Sequence, residues 1–205
     1  RVAGEWFTHS LATDAEAIYP LIMWNCLWKS GASIPHGHLQ VSLTKGMHYG
    51  EIERVRRVTE AYRKAHGASY FDDLYHAHAA LGLGRERNGV RVLASLTPIK
   101  EKESVIIGRA LDRAFITTLY ETLNCLTDHL NVVSFNLVVW QPPLRPAQED
   151  WSDVPVIARI VGEGMSKVLK QSIVIENVGG AGGTTGSARV AAAKPDGYTL
   201  LSGSM

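Results

Sequence analysis

Near the start of the chain, His36, His38 and Gln40 stand in alternation within SGASIPHGHLQVSLT, residues 30–44. Ser42 and Thr44 continue the row, and Gly37, Leu39, Val41 and Leu43 fill the places between. On an extended strand, residues two apart share a face and rise about 6.6 Å together. Two imidazoles and a carboxamide then project in a row from one side, backed by a hydrophobic layer. Neutral imidazole is a good nucleophile towards phosphorus and a good leaving group from it. Gln40 can donate to a phosphoryl oxygen as charge builds there. Upstream, the backbone N–H groups around Gly31 and the Ser33 hydroxyl suit phosphate oxygens. A solvent-facing polar strand accounts for H-x-H alone, but the longer unit G-A-S-x-P-H-x-H-x-Q asks for chemistry.

Positioning such a row requires a sheet and helices behind it. EIERVRRVTEAYRKAH, residues 51–66, places Ile52, Val55, Val58 and Tyr62 at helical spacing. Its basic residues (Arg54, Arg56, Arg57, Arg63, Lys64) read as a solvated face. Ser69 and Asp72 form an S-x-x-D cap for a second helix, which Gly82 and Gly84 end. Val90, Val92, Ala94 and Leu96 share one face of a strand. A third helix covers residues 109–126, with a stripe of Leu111, Ala114, Phe115, Thr118, Leu119, Leu123 and Leu126. NVVSFNLVVW is a strand, and QPPLRPAQED breaks the pattern. The order up to residue 145 is strand, helix, helix, strand, helix, strand. It predicts an α+β domain whose helices cover a largely antiparallel sheet.

Beyond the proline-rich break, VPVIARIVGEGMSKVLK has a helical look. A strand SIVIENV, a glycine loop, a helix GSARVAAAKP and a strand YTLLSGS follow. This α-β-α-β cadence differs from the first part. The expected organisation is a domain over 1–145, a linker over 146–155 and an α/β fragment over 156–205.

The 205 residues include 21 Lys and Arg against 20 Asp and Glu, a formal charge of +1, so there is no electrostatic footprint for nucleic acid. No apolar run approaches the roughly 18 residues of a membrane span. Cys26 and Cys125 are too few for a disulfide framework or a closed zinc site, and both read as small buried side chains. His76 and His78 lie about 200° apart on a helix, so they cannot share an ion and read as surface or interface residues. His9, His48, His66 and His129 read as exposed. The start of the chain has no signal-peptide core, so a cytoplasmic setting is expected.

NCLWKSGASIPHGHLQ resembles the active-site segment of the galactose-1-phosphate uridylyltransferase family, a branch of the histidine-triad-like superfamily. Asn25, Gly31, Ser33, Pro35, His36, His38 and Gln40 all match the family's pattern. YFDDLYHAHAALGLG and VVSFNLVVWQPPL extend the likeness, which covers roughly residues 1–155. The resemblance implies a histidine-triad-like fold in which His38 carries a covalent nucleotidyl group. Gln40 would hold the phosphoryl oxygens, His36 would orient its neighbour, and Asn25, Gly31 and Ser33 would contact phosphate or sugar. A structural metal occurs in some members, but the cysteine pair completing its ligand set is absent here, so no metal or other cofactor is assigned. The implied partner is a nucleotide sugar or sugar phosphate, and the likeness suggests homodimers. The family's N-terminal portion, with several strands and much of the nucleoside pocket, is expected ahead of residue 1.

SIVIENVGGAGGTTGSARVAAA places a glycine-rich turn at a helix start, where backbone N–H groups can hold carboxylate or phosphate. The glycine spacing departs from a dinucleotide fingerprint, and no Gly-Lys-Ser/Thr marks a P-loop. A tight turn that merely needs glycine is the simpler reading of the loop alone. The longer run from ARIVGEG to PDGYTLLSGSM is similar to the start of the receptors of tripartite tricarboxylate transporters. That likeness implies a carboxylate loop of Gly180, Ala181, Gly182, Gly183 and Thr184, and a periplasmic location. Three functions therefore stand: a nucleotidyltransferase moving a UMP-like group between a nucleotide sugar and a sugar 1-phosphate, a fragment of an organic-carboxylate receptor, and an inactive fused or truncated product.

Overall fold

The computed structural model describes residues 2–27, 30, 37–100, 102–162 and 184–194. Two compact units divide the chain, Arg1–Gln171 and Ser172–Met205. The first opens with helix α1 (Val2–Thr13), strand β1 (Tyr19–Cys26) and strand β2 (Leu39–Thr44). Helices α2 (Gly50–His66) and α3 (Tyr70–Ala80) follow. Then come β3 (Gly84–Arg87), β4 (Val90–Ala94), β5 (Ser104–Gly108), α4 (Arg113–Asn124), β6 (Phe135–Trp140) and β7 (Val156–Gly162). The strands form one seven-stranded sheet in the order β2-β1-β6-β7-β5-β4-β3, antiparallel throughout. The expected α+β class with a largely antiparallel sheet and packed helices is what the chain adopts.

The sheet carries a core on each face. Ile22, Leu137, Val139, Ala158, Ile160 and Ile106 point to one side, where Phe7 of α1 and Phe115 of α4 pack against them. The α4 stripe expected from its spacing lies in this core, and Asp112 caps the helix by accepting from Phe115 N at 2.9 Å. On the opposite face, Tyr19, Trp140, Ile157, Ile107 and Leu93 lie beneath Ile52 of α2 and Phe71 of α3. Ser69 caps α3 by accepting from Asp72 N, as its sequence signature indicates. In α2 the inward positions are Ile52, Val55 and Thr59, so Val58 is left 47% exposed.

Several readings from sequence change. The stretch expected as a helix from residue 154 instead carries β7, which pairs on both sides, with β5 and with β6. VIARIV carries apolar residues on both faces, Arg159 being its one charged side chain, because both faces of this central strand are largely buried. Residues 146–155 therefore connect two strands of one sheet, and the first compact unit continues past them. Helix α1 and strands β1, β3 and β5 add to the expected elements. Pro20 argues against a strand, but it precedes Leu21, where pairing with β6 begins. Leu96 lies beyond the end of β4 and is exposed.

Buried groups also correct the surface assignments. His48 is 2% exposed and His78 5%. His78 Nε2 accepts from Leu96 N, so Nδ1 carries the proton and donates to Leu74 O at 2.7 Å. Arg56 is held against Glu53 at 2.7 Å and sits 5.7 Å over the Trp151 ring. Cys125 is exposed and Cys26 half-buried, so neither is the fully buried side chain expected.

In the second unit the described residues are helix α5 (Thr184–Ala191) and the turn after it. It falls where GSARVAAAKP was expected to be helical. The strands expected at SIVIENV and YTLLSGS lie outside the described residues.

Candidate functional site

Register settles which side chains share a face, because directly paired residues project to the same side. Gln40 pairs with Met23, Ser42 with Leu21 and Thr44 with Tyr19, while Asn25 pairs with Asn136. The Gln40 row therefore lies on the face carrying α2 and α3. Leu39, Val41 and Leu43 take the opposite face, where Val41 and Leu43 pack against the core. The alternation expected from sequence holds over β2. His38 stands one place before Leu39, which pairs with Trp24, and Asn25 follows Trp24. His38 and Asn25 thus occupy neighbouring places at one end of the β1–β2 hairpin. His38 is half-buried and Gln40 exposed.

This face has two halves. Towards Tyr19, Trp140 and Ile157 it is buried beneath α2 and α3. Towards the other ends of β1, β6 and β7 it opens. Along β6, Asn136 and Val138 are half-buried between fully buried neighbours, and along β7 Arg159 and Val161 repeat the pattern. Ser42 lies at the boundary, its hydroxyl 2.7 Å from the Tyr49 hydroxyl at the start of α2. Beyond it the floor carries Gln40, Met23, Asn25, Asn136 and Arg159. Arg159 Nε donates to Glu103 Oε1 at 2.9 Å, and Glu103 Oε2 accepts from Ile99 N at 2.7 Å.

The end of β1 is braced. The Ser134 hydroxyl donates to Cys26 O at 2.7 Å, and the Ser30 hydroxyl lies within hydrogen-bonding distance of Cys26 O and Leu27 O. Leu27 is left-handed, with φ 64°, a conformation that a branched side chain adopts at a cost of about 1–3 kcal/mol. Asn136 Nδ2 donates both to Asn25 Oδ1 at 2.8 Å and to Ser30 O at 2.7 Å. These contacts fix Cys26, Leu27 and Ser30 at the end of β1.

Of the site residues expected from the uridylyltransferase resemblance, Asn25, His38 and Gln40 are described, and they lie within a few places of one another at one end of the β1–β2 pair. Gly31, Ser33 and His36 lie outside the described residues, as do Gly180, Ala181, Gly182 and Gly183. Thr184 is the first residue of α5. Sequence reasoning did not single out Asn136, Arg159 or Glu103. Asn136 had a signal: one carboxamide inside the apolar strand SFNLVVW. Among the described residues, no group of three or more His, Cys, Asp or Glu could hold a metal ion. None of the described helices is long and apolar enough to cross a membrane.

Comparison with solved structures returns one architecture. An ADP-glucose phosphorylase from Arabidopsis thaliana, solved with bound ADP-glucose, matches with a TM-score of 0.64 at 18% identity, over 90% of this chain and 59% of its own. A GalT-like protein from the same plant matches with a TM-score of 0.60 at 19% identity, over 90% of this chain and 60% of its own. A uridylyltransferase matches at 0.63 and 16%, over 91% of this chain and 59% of its own. The chain thus spans about 60% of the length of these solved structures.

The C-terminal segment has different relatives. Residues 157–205 match the family model of the tripartite tricarboxylate transporter family receptor. A UPF0065 protein of Agrobacterium vitis is 58% identical over 45 residues, 22% of this chain and 13% of the relative. Another from Bordetella bronchiseptica is 52% identical over 50 residues, 24% of this chain and 15% of the relative. The receptor match begins within β7, a strand of the first unit's sheet. The chain therefore has the fold of the uridylyltransferase-like structures, and its last 49 residues match the receptor family's model.

Proposed function

We propose that the first unit is a nucleotidyltransferase that works through His38. The reading is supported by one observation: Gln40 lies on the open half of the sheet face whose other half is covered by two helices, with His38 and Asn25 within a few places of it. Its substrates are a nucleotide sugar and a sugar 1-phosphate, which would place the protein in galactose or related carbohydrate metabolism. A ring nitrogen of His38 attacks the α-phosphorus of the nucleotide sugar. The N–P bond forms as the P–O bond to the sugar phosphate breaks, and the sugar 1-phosphate leaves. An oxygen of a second sugar 1-phosphate then attacks the same phosphorus, restoring the imidazole and releasing the new nucleotide sugar. Gln40 and Asn25 donate hydrogen bonds to oxygens whose charge grows during each step. His36, Gly31 and Ser33 complete the phosphate segment in this reading. The test is uptake of a nucleotidyl group from UDP-glucose, which His38→Ala abolishes.

A second reading rests on the receptor match over residues 157–205. Here Gly180 to Thr184 hold an organic carboxylate through backbone N–H groups, and the protein is periplasmic. Stabilisation of the protein by millimolar citrate, without any covalent labelling by UDP-glucose, would favour it. Neither labelling nor stabilisation would leave an inactive fusion.

A further inference from the structure

The carboxamide of Asn136 is fully committed on its donor side. Its Nδ2 reaches Ser30 O at 2.7 Å and Asn25 Oδ1 at 2.8 Å. A backbone carbonyl can only accept, so the Ser30 contact fixes which atom of Asn136 faces the turn. That nitrogen has two hydrogens, and the second points at Asn25. The atom of Asn25 that meets it must be the oxygen. The orientation of the Asn25 amide is therefore dictated by a main-chain carbonyl, acting through Asn136.

With Oδ1 engaged by Asn136 of β6, Asn25 Nδ2, the other polar atom of the same planar amide, is left to donate elsewhere. β1 lies between β6 and β2, so the neighbour of Asn25 across from β6 is His38, next to the start of β2. We infer that Asn136 is a positioning residue that sets Asn25 as a hydrogen-bond donor to the anionic phosphate of the nucleotide bound at His38. The inference rests on the nucleotidyltransferase reading for its ligand, but the relay Ser30–Asn136–Asn25 stands on its own geometry. An inverted Asn25 amide would present its oxygen to a phosphate oxygen, replacing attraction with repulsion.

Asn136→Asp inverts the relay. A carboxylate cannot donate, so Asn25 turns its amide to donate to the new carboxylate and shows Oδ1 to the ligand. Titration calorimetry with UDP-glucose and ADP-glucose should show affinity falling at least about tenfold, the effect of losing one hydrogen bond to a charged group. In an Asn25→Ala background the same change should cost nothing further. Side-chain amide hydrogen exchange by NMR reads the relay without a ligand: in the unmutated protein the Asn136 amide protons are protected and those of Asn25 exchange quickly. In Asn136→Asp the Asn25 protons become protected. Should that variant not fold, the exchange pattern of the unmutated protein and the affinity of Asn136→Ala decide the matter.

Equal affinity in the unmutated and Asn136→Asp proteins would overturn the inference. So would protected Asn25 protons beside exchanging Asn136 protons before any substitution. Failure of the unmutated protein to bind either nucleotide sugar would overturn the functional reading, and with it the ligand half of the inference. The exchange data would still decide the positioning half.

Discussion

His48 lies outside the proposed chemistry, yet its protonation state bears directly on folding. Tyr49 N donates to its Nδ1 at 2.8 Å, so Nε2 carries the proton and donates to Gln141 O at 3.1 Å. Tyr19 and Trp151 pack around the ring, with centroids at 5.5 and 5.2 Å. A second proton would have to sit on Nδ1 against a backbone N–H. Burial holds the pKa of His48 below the ordinary 6.5, against the smaller opposing effects of Gln141 O and Glu53. The folded state thus binds the proton less readily than the unfolded chain. The stability this contributes is complete above pH 6.5 and is lost as pH falls below it towards the folded pKa. Melting temperature should fall as pH drops below about 6.5, and His48→Gln should flatten that fall. An equal slope in both proteins would refute the assignment. Glu53, held at about 2 chiefly by its hydrogen bond from Arg56, loses its contribution only below its ordinary 4.5. At this scale the sequence showed the histidine row, because alternation is local. It did not show that His48 is buried, because a turn residue acquires its surroundings from Trp151 and Gln141, about a hundred positions away.

Among the elements, β7 decides the limits of the first unit. It lies between β6 and β5, and Ala158 and Ile160 are fully buried. Deleting it would strip two neighbours of their ladder bonds and remove much of both cores. A chain ending at Pro155 should show no cooperative thermal transition, whereas one ending at Gln171 should retain that of the first unit. A cooperative transition in the shorter chain would show that β7 is dispensable. The legibility of the elements follows the same physics. Amphipathic helices α2, α3 and α4 announce themselves by spacing, and α3 by its Ser69 cap as well. β7 does not, because a strand buried on both faces loses the alternation that marks strands. β5 is short and uniformly apolar for the same reason, and β1 is masked by the proline at its start.

For the whole molecule, the near-neutral charge of +1 leaves recognition to a specific site instead of a broad electrostatic surface. The likeness to the fold of the uridylyltransferase-like structures was legible because one compact motif carries it. The extent of the sheet was not, since it depends on pairings between residues more than a hundred positions apart, such as Asn25 with Asn136. All the described residues of the proposed machinery lie within the first unit. The most direct measurement is the intact mass of the protein after incubation with UDP-glucose or ADP-glucose, beside His38→Ala, with peptide mapping of any adduct. The expected result is a gain of one uridylyl or adenylyl group in the unmutated protein, mapped to His38 and absent from the variant. No gain with either donor, or a gain that survives His38→Ala, would contradict nucleotidyl transfer through this histidine.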